Sequence, residues 1–291
     1  MAIAAALVKE LRERTGLGFM DCKRALEEVA GDVELAIEEL RKKSTLKAAK
    51  KAGRTTTDGI LGVKVAADGR RAAIVEVNIE TDFAAKNEKF VAFVAAVLDS
   101  VYQAGNDNLE EVLAGALEAE REVLVQEIGE NVSVRRASCL VSTDGFITSY
   151  LHNDARKAAL VELASADEAL GRDVAMHITA INPLVVEGAD VPPDLLAKER
   201  EIYAAQAQDS GKPADIIEKM VEGRVRKYLA EVSLVDQPFV KDPKTKVGQH
   251  VAAGSNQIRR FVRFEVGEGI EVEAQDFAAE VAALEGPDTP D

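Results

Sequence analysis

At 291 residues the chain is long enough for more than one domain, since a single hydrophobic core is usually built from roughly 100 to 200 residues. It is 47% hydrophobic and 30% charged, the composition of a folding chain, and its net charge of −15 argues against general attraction to nucleic-acid phosphates or anionic membranes. The two cysteines, Cys22 and Cys139, are far apart and form neither a metal spacing nor a disulfide framework, so they read as small buried hydrophobes in a reducing, cytoplasmic setting.

The N-terminal stretch MAIAAALVKELRERTG has its basic residues after the apolar run and mixed with acids, which describes an amphipathic helix and not a signal peptide. Its spacing predicts a helix over 4–14 with Leu7, Val8 and Leu11 on one face, ended by Gly16. A second helix carries Cys22, Leu26 and Val29 and breaks at Gly31-Asp32. A third is predicted over 33–43, with Asp32 as its cap and Leu35, Ile37 and Leu40 as its apolar side. The following segment RKKSTLKAAKKAGR, 41–54, holds seven basic residues and no acid. It reads as a solvated helix end and linker, or as a contact for an acidic partner or RNA.

Past this segment the chain repeats itself. TDGILGVKVAADGRRAAIVEV, 57–77, aligns without a gap on TDGFITSYLHNDARKAALVEL, 143–163, with nine of 21 positions identical. Each copy reads as a strand, a tight turn and a returning strand, with Asp68-Gly69 marking the first turn. Each hairpin then feeds an amphipathic helix, through Phe90, Phe93, Val94 and Val97 in copy one and through Val174, His177, Ile178 and Ile181 in copy two. A later strand closes each copy, 132–141 in the first and 258–266 in the second. Copy two is interrupted over 195–232 by two helical patterns flanking Ser210-Gly211-Lys212-Pro213, which reads as an antiparallel helical arm. A last helical pattern, DFAAEVAAL, spans 276–284.

Catalytic signals are sparse. The three histidines, His152, His177 and His250, are scattered, and no nucleophile motif or glycine-rich phosphate loop is present. His177 falls on an apolar helix face and reads as a satisfied core residue. No cofactor and no metal site is expected. An enzyme would have to rest on carboxylates such as Asp154 and Glu162, which have no partner by spacing.

The difference between the copies is more informative. After the second strand, copy one has NIETDFAAKN and copy two has Ala164-Ser165-Ala166-Asp167-Glu168-Ala169, so Phe83 stands where copy two has Ala169. Phe83 reads either as a core residue, seven positions before Phe90, or as an exposed wedge beside the carboxylate of Asp82, able to enter a partner's crevice.

Taken together, VKELRERTG, GFMDCKRALEE, KAAKKAG, TDFAAKN, IGEN at 128–131, MHI at 176–178, SGKP, KMVEGR and FVRFEVGEG resemble the bacterial translation elongation factor Ts family over essentially the whole chain. The resemblance implies a guanine nucleotide exchange factor for elongation factor Tu, not an enzyme. It implies that Thr81, Asp82, Phe83 and Ala84 reach the GTPase and dislodge its magnesium ion. The family has valine at the fourth of these positions. Met20, in the segment from Leu17, Ile128 with Gly129 at a helix end, and His152 in the copy-two turn are the other implied contacts. Read from the residues alone, His152 is equally an exposed turn residue. The arm and the last helix would supply further contacts or self-association, as a homodimer or a two-by-two complex. No membrane and no direct nucleic-acid partner is expected. An adaptor for ubiquitin-like or RNA partners built on 1–54 is the competing reading.

The expected fold class is α+β. It comprises an N-terminal three-helix domain that looks ubiquitin-associated-like, with its basic linker (1–54), and a core of two related α+β subdomains (55–141, and 142–190 with 233–270). An inserted helical hairpin (191–232) and a C-terminal helical module (271–291) complete it.

Overall fold

The computed structural model describes residues 3–208 and 213–271. The turn composition at 210–212 and the helix expected over 276–284 lie outside the described residues.

Three helices open the chain, α1 (Ala5–Thr15), α2 (Phe19–Glu28) and α3 (Val33–Lys51). Gly16 ends α1 in the left-handed region at φ 72°, where a side chain would be strained. Asp32 caps α3 by accepting the Leu35 amide at 3.1 Å. Val8, Leu11, Leu17, Cys22, Leu26 and Leu40 form their shared core.

The third helix differs from expectation in two ways. It continues through most of the basic segment, and its buried face is Ala36, Leu40, Ser44 and Ala48, while Leu35 is exposed. Small residues explain both, since Ser44 and Ala48 let α3 lie close against a later helix, α7 (Ala116–Ile128). Ser44 Oγ donates to Gln126 Oε1 at 2.6 Å and Thr45 Oγ1 to Glu122 Oε2 at 2.7 Å across that contact.

The repeat folds as two three-stranded antiparallel sheets. In the first, β2 (Arg71–Ile79) lies between β1 (Asp58–Val65) and β3 (Val132–Val141); in the second, β5 (Lys157–Leu163) lies between β4 (Phe146–Leu151) and β8 (Ile258–Glu265). The central strands alternate between two buried faces. Ala72, Ile74, Ala158 and Leu160 meet Leu61, Ile147 and Phe264 in a layer between the sheets. Ala73, Val75, Val77 and Ile79 turn the other way, onto α5 (Glu88–Ala104) and α7. Ala159, Val161 and Leu163 turn onto α8 (Glu168–Ile181) and α11 (Val247–Ala253).

Matching positions of the repeat do matching work. Each edge strand reaches the other copy's turn: Leu61 N–H donates to Ala155 O and Ile147 N–H to Gly69 O, both at 2.7 Å. Arg156 pairs with Asp58 at 2.5 Å, while Arg70 donates to Gly145 O at 2.7 Å. The repeated glycines answer a steric demand. A Cβ on Gly59 would run into the Val77 carbonyl, and one on Gly145 would lie 2.8 Å from the equivalent carbonyl of Leu163.

The insertion in copy two forms α9 (Pro193–Gln208) and α10 (Ala214–Val232), packed antiparallel through Leu196, Tyr203, Val221 and Val225. Its root is pinned where the Leu184 amide donates to Val232 O at 2.9 Å. The short hairpin of β6 (Pro238–Phe239) and β7 (Asp242–Lys246) follows. A brief helix, α6 (Leu109–Leu113), precedes α7. Among the described residues no helix is long and apolar enough to cross a membrane.

His177 is fully buried. Its Nδ1 accepts the Val240 amide at 3.1 Å, so the ring proton sits on Nε2 and is donated to Gln237 Oε1 at 2.9 Å. Burial pulls its pKa below the ordinary 6.5, with the Gln237 bond opposing, so the folded chain holds this ring neutral. The stability this contributes is complete above the unfolded value and is lost as pH falls. Urea midpoints should therefore drop as pH falls below the ordinary 6.5 toward the lower folded value, and His177→Asn should flatten that slope. An unchanged slope in the variant would show that His177 does not set it.

Candidate functional site

Thr81 follows β2 and caps a single helical turn, α4 (Asp82–Ala85), by accepting the Ala84 amide at 3.3 Å. In copy two the corresponding Asp167 caps α8, which runs unbroken to Ile181. In copy one the helix stops after one turn, and Asn87 restarts it as the cap of α5, accepting the Lys89 amide at 2.9 Å. This break sets the direction of Phe83.

The Phe83 ring is 83% exposed, whereas Phe90 and Phe93 are 0% and 1% exposed. The core reading of Phe83 is therefore wrong. The seven-residue spacing to Phe90 holds only on a continuous helix, and the helix is interrupted between them. Ala84 and Ala85 turn inward and join the core beneath the first sheet. A larger side chain at Ala84 would enlarge that packing and would not extend the exposed surface.

Asp82 lies beside the ring. The ammonium of Lys86, 2.9 Å away, holds its carboxyl below the usual range, with a smaller contribution from the charge of Arg156. Lys86 Nζ also stands 5.7 Å from the centroid of the Phe83 ring. The turn thus presents an apolar ring, an ionised carboxylate and one cation on an exposed surface.

A second loop clamps this turn. Glu130 accepts from the Thr81 amide at 2.9 Å and the Thr81 hydroxyl at 2.8 Å, while the Asn131 amide donates to Glu80 Oε1 at 2.6 Å. Just before them Ile128 ends α7, and Gly129 adopts φ 86° to close it. The Thr81 turn and the loop that follows Ile128 and Gly129 are therefore held together, although 49 residues of chain separate Thr81 from Glu130.

The N-terminal helices reach the same edge. Lys89 Nζ donates to Gly16 O at 3.1 Å and to Glu127 Oε1 at 2.6 Å, and Lys51 donates to Gly129 O. Leu17 and Gly18 border a shallow cleft with Asn87, Lys89 and Ile128, and beyond it Phe19 and Met20 are 50% and 59% exposed. His152 lies exposed in the copy-two turn, its Nδ1 2.9 Å from Asp154. That turn is docked onto β1, and the charge of its Arg156 reaches Asp82 on α4.

The carboxylates weighed for catalysis are occupied. Glu162 accepts from Ser142 Oγ and Arg260 Nε, both at 2.6 Å, and Asp154 accepts the Arg156 amide at 2.9 Å. Sequence reasoning missed Glu130, Lys86 and Asn131. The Asp82 to Lys86 spacing of one helical turn was the available signal for Lys86. Glu130 had none, because its partner is 49 residues distant.

The sequence that builds this duplicated α+β scaffold matches a family of translation factors. The family model described as Elongation factor TS matches residues 80–268. Elongation factor Ts of Hahella chejuensis is 54% identical over 282 residues, covering 97% of this chain and 98% of that one. Elongation factor Ts of Cellvibrio japonicus is also 54% identical over 282 residues, covering 97% of each chain, and that of Marinobacter nauticus is 52% identical over 286 residues, covering 98% of each. The chain belongs to the elongation factor Ts family of translation elongation factors.

Proposed function

We propose that this chain is a guanine nucleotide exchange factor that binds elongation factor Tu with GDP in the cytoplasm and promotes GDP release. The observation that carries the reading is the exposed Phe83 ring beside the ionised Asp82, on a turn fixed from both sides. A ring held away from its own core is available to fill a partner's pocket, and aromatic anchors dominate interfaces when they do so.

A GDP site draws much of its hold from a bound magnesium ion and from backbone amides around the phosphates. A ring wedged beside that site, with a carboxylate that competes for the cation, separates the two and loosens the nucleotide. Thr81, Asp82 and Phe83 present the wedge, and Ala84 anchors it. Met20, Ile128 and Gly129 extend the contact along the same edge, and His152 extends it from the copy-two turn. Linkage requires that GDP weaken the factor's binding by the same ratio as the factor weakens GDP binding, so the complex is transient.

The proposed units are the helices of 1–54, the first half over 55–141, the second over 142–190 with 233–270, and the arm over 191–232. The decisive experiment follows the release of labelled GDP from elongation factor Tu with and without substoichiometric amounts of this protein. Many GDP molecules released per chain support the reading; an unchanged release rate refutes it.

A further inference from the structure

Glu130 is neither on the exposed turn nor in the core, yet it makes the only hydrogen bonds that join Thr81 to the α7–β3 loop among the described residues. We infer that Glu130 is the positioning residue of the ring-bearing turn, fixing Phe83 and Asp82 through Thr81 without meeting the partner itself. The inference rests on the exchange reading for its consequence, but its structural content is independent of any partner.

The chemistry runs through one hydroxyl. Thr81 Oγ1 has a single proton, which it donates to Glu130 Oε1 at 2.8 Å, and this leaves a lone pair for the Ala84 amide at 3.3 Å. The second carboxylate oxygen takes the Thr81 amide at 2.9 Å, so the amide and the hydroxyl of the capping residue are oriented by one side chain. Without that acceptor the hydroxyl can rotate away from Ala84 and the first turn loses its cap.

The loop that carries Glu130 is itself fixed. Asn131, 4% exposed, donates its backbone amide to Glu80 Oε1 at 2.6 Å and its side-chain amide to Arg54 O at 3.0 Å. Lys51, at the end of α3, donates to Gly129 O on the other side. The orientation of the ring is thereby referred to the rigid junction of α3, α7 and β3.

This role is separable from holding the fold together. Thr81 and Phe83 are exposed, while Ala84, Ala85 and Phe90 belong to a core cluster to which Glu130 does not contribute. Two measurements on Glu130→Ala, Glu130→Gln, Phe83→Ala and the Glu130→Ala/Phe83→Ala double variant test the proposal.

In the free chain, hydrogen exchange at the Ala84 amide should speed up about tenfold in Glu130→Ala, the factor that corresponds to one charge-assisted hydrogen bond. Glu130→Gln, whose one side-chain oxygen can still accept from the Thr81 hydroxyl, should recover most of the protection, and the thermal midpoint should stay near wild type. In GDP release from elongation factor Tu, Glu130→Ala should lower the maximal rate about tenfold and add little once Phe83 is already alanine.

Unchanged Ala84 exchange overturns the inference, as do additive losses in the double variant or a broad fall in thermal midpoint. If wild-type protein fails to accelerate GDP release while the Ala84 exchange result holds, the exchange reading fails and the positioning role of Glu130 stands.

Discussion

Phe83→Ala should lower the acceleration of GDP release from elongation factor Tu by about 30-fold, the rate equivalent of losing an aromatic hot spot worth about 2 kcal/mol. The melting temperature should not change, because a ring that is 83% exposed contributes almost nothing to its own core. Phe90→Ala is the matched control. That side chain is fully buried against the first sheet, and truncating it should cost about 3 to 5 kcal/mol of stability. If Phe83→Ala destabilised the fold comparably, the ring would be a packing element; if it left exchange untouched, the wedge would be wrong. Asp82→Ala should act in the same direction and also release Lys86.

Glu76→Ala should be the most damaging single substitution in the strands, costing about 3 kcal/mol or more, the cost of stranding the partners of a buried ion pair. Glu76 is fully buried and accepts from Arg136 Nε at 2.5 Å, Arg135 Nη1 at 3.0 Å, the Gly267 amide at 2.8 Å and Asn78 Nδ2 at 3.2 Å. Burial raises its pKa, but the Gly267 amide and the two guanidinium groups outweigh that, so the carboxyl stays below its ordinary value of 4.5. Its contribution is complete above 4.5 and is lost as pH falls through the lower folded value.

The equivalent Glu162→Ala should cost about half as much, because Arg260 is 49% exposed and can turn to water. Urea unfolding of the two variants side by side checks the ranking. A larger loss for Glu162→Ala would overturn it, and with it the view that the Gly267 amide makes the first site the tighter one.

The repeat was legible because its shared letters are the ones the two halves need in order to meet. Gly59 and Gly145 allow a close backbone approach, Glu76 and Glu162 anchor arginines of the closing strands, and Arg70 and Arg156 reach across to the other copy. Those cross-copy partners could not be read in advance, since nothing local to Leu61 points to Ala155. The length of α3 was hidden for a different reason: its second half buries Ser44 and Ala48, which do not register as a hydrophobic stripe. The β6–β7 hairpin and α11 were too short and too polar to carry a period.

At the candidate site, sequence comparison located the turn, and the structure decided which way it faces. Phe83 against Ala169 marked a place where the copies differ, but the apolar spacing to Phe90 supported burial and exposure alike. The deciding signals were two caps, Thr81 and Asn87, six residues apart in sequence and too close for a single continuous helix. The clamp from Glu130 came only with the tertiary structure.

Internal symmetry would ordinarily lead one to count two binding addresses on such a chain. Here α8 continues without a break from Asp167, so the matching position, Ala169, projects no ring as Phe83 does in the first half. On the proposed exchange reading, a GTPase that recognises the ring would dock through it once per chain, with the second half bracing the first.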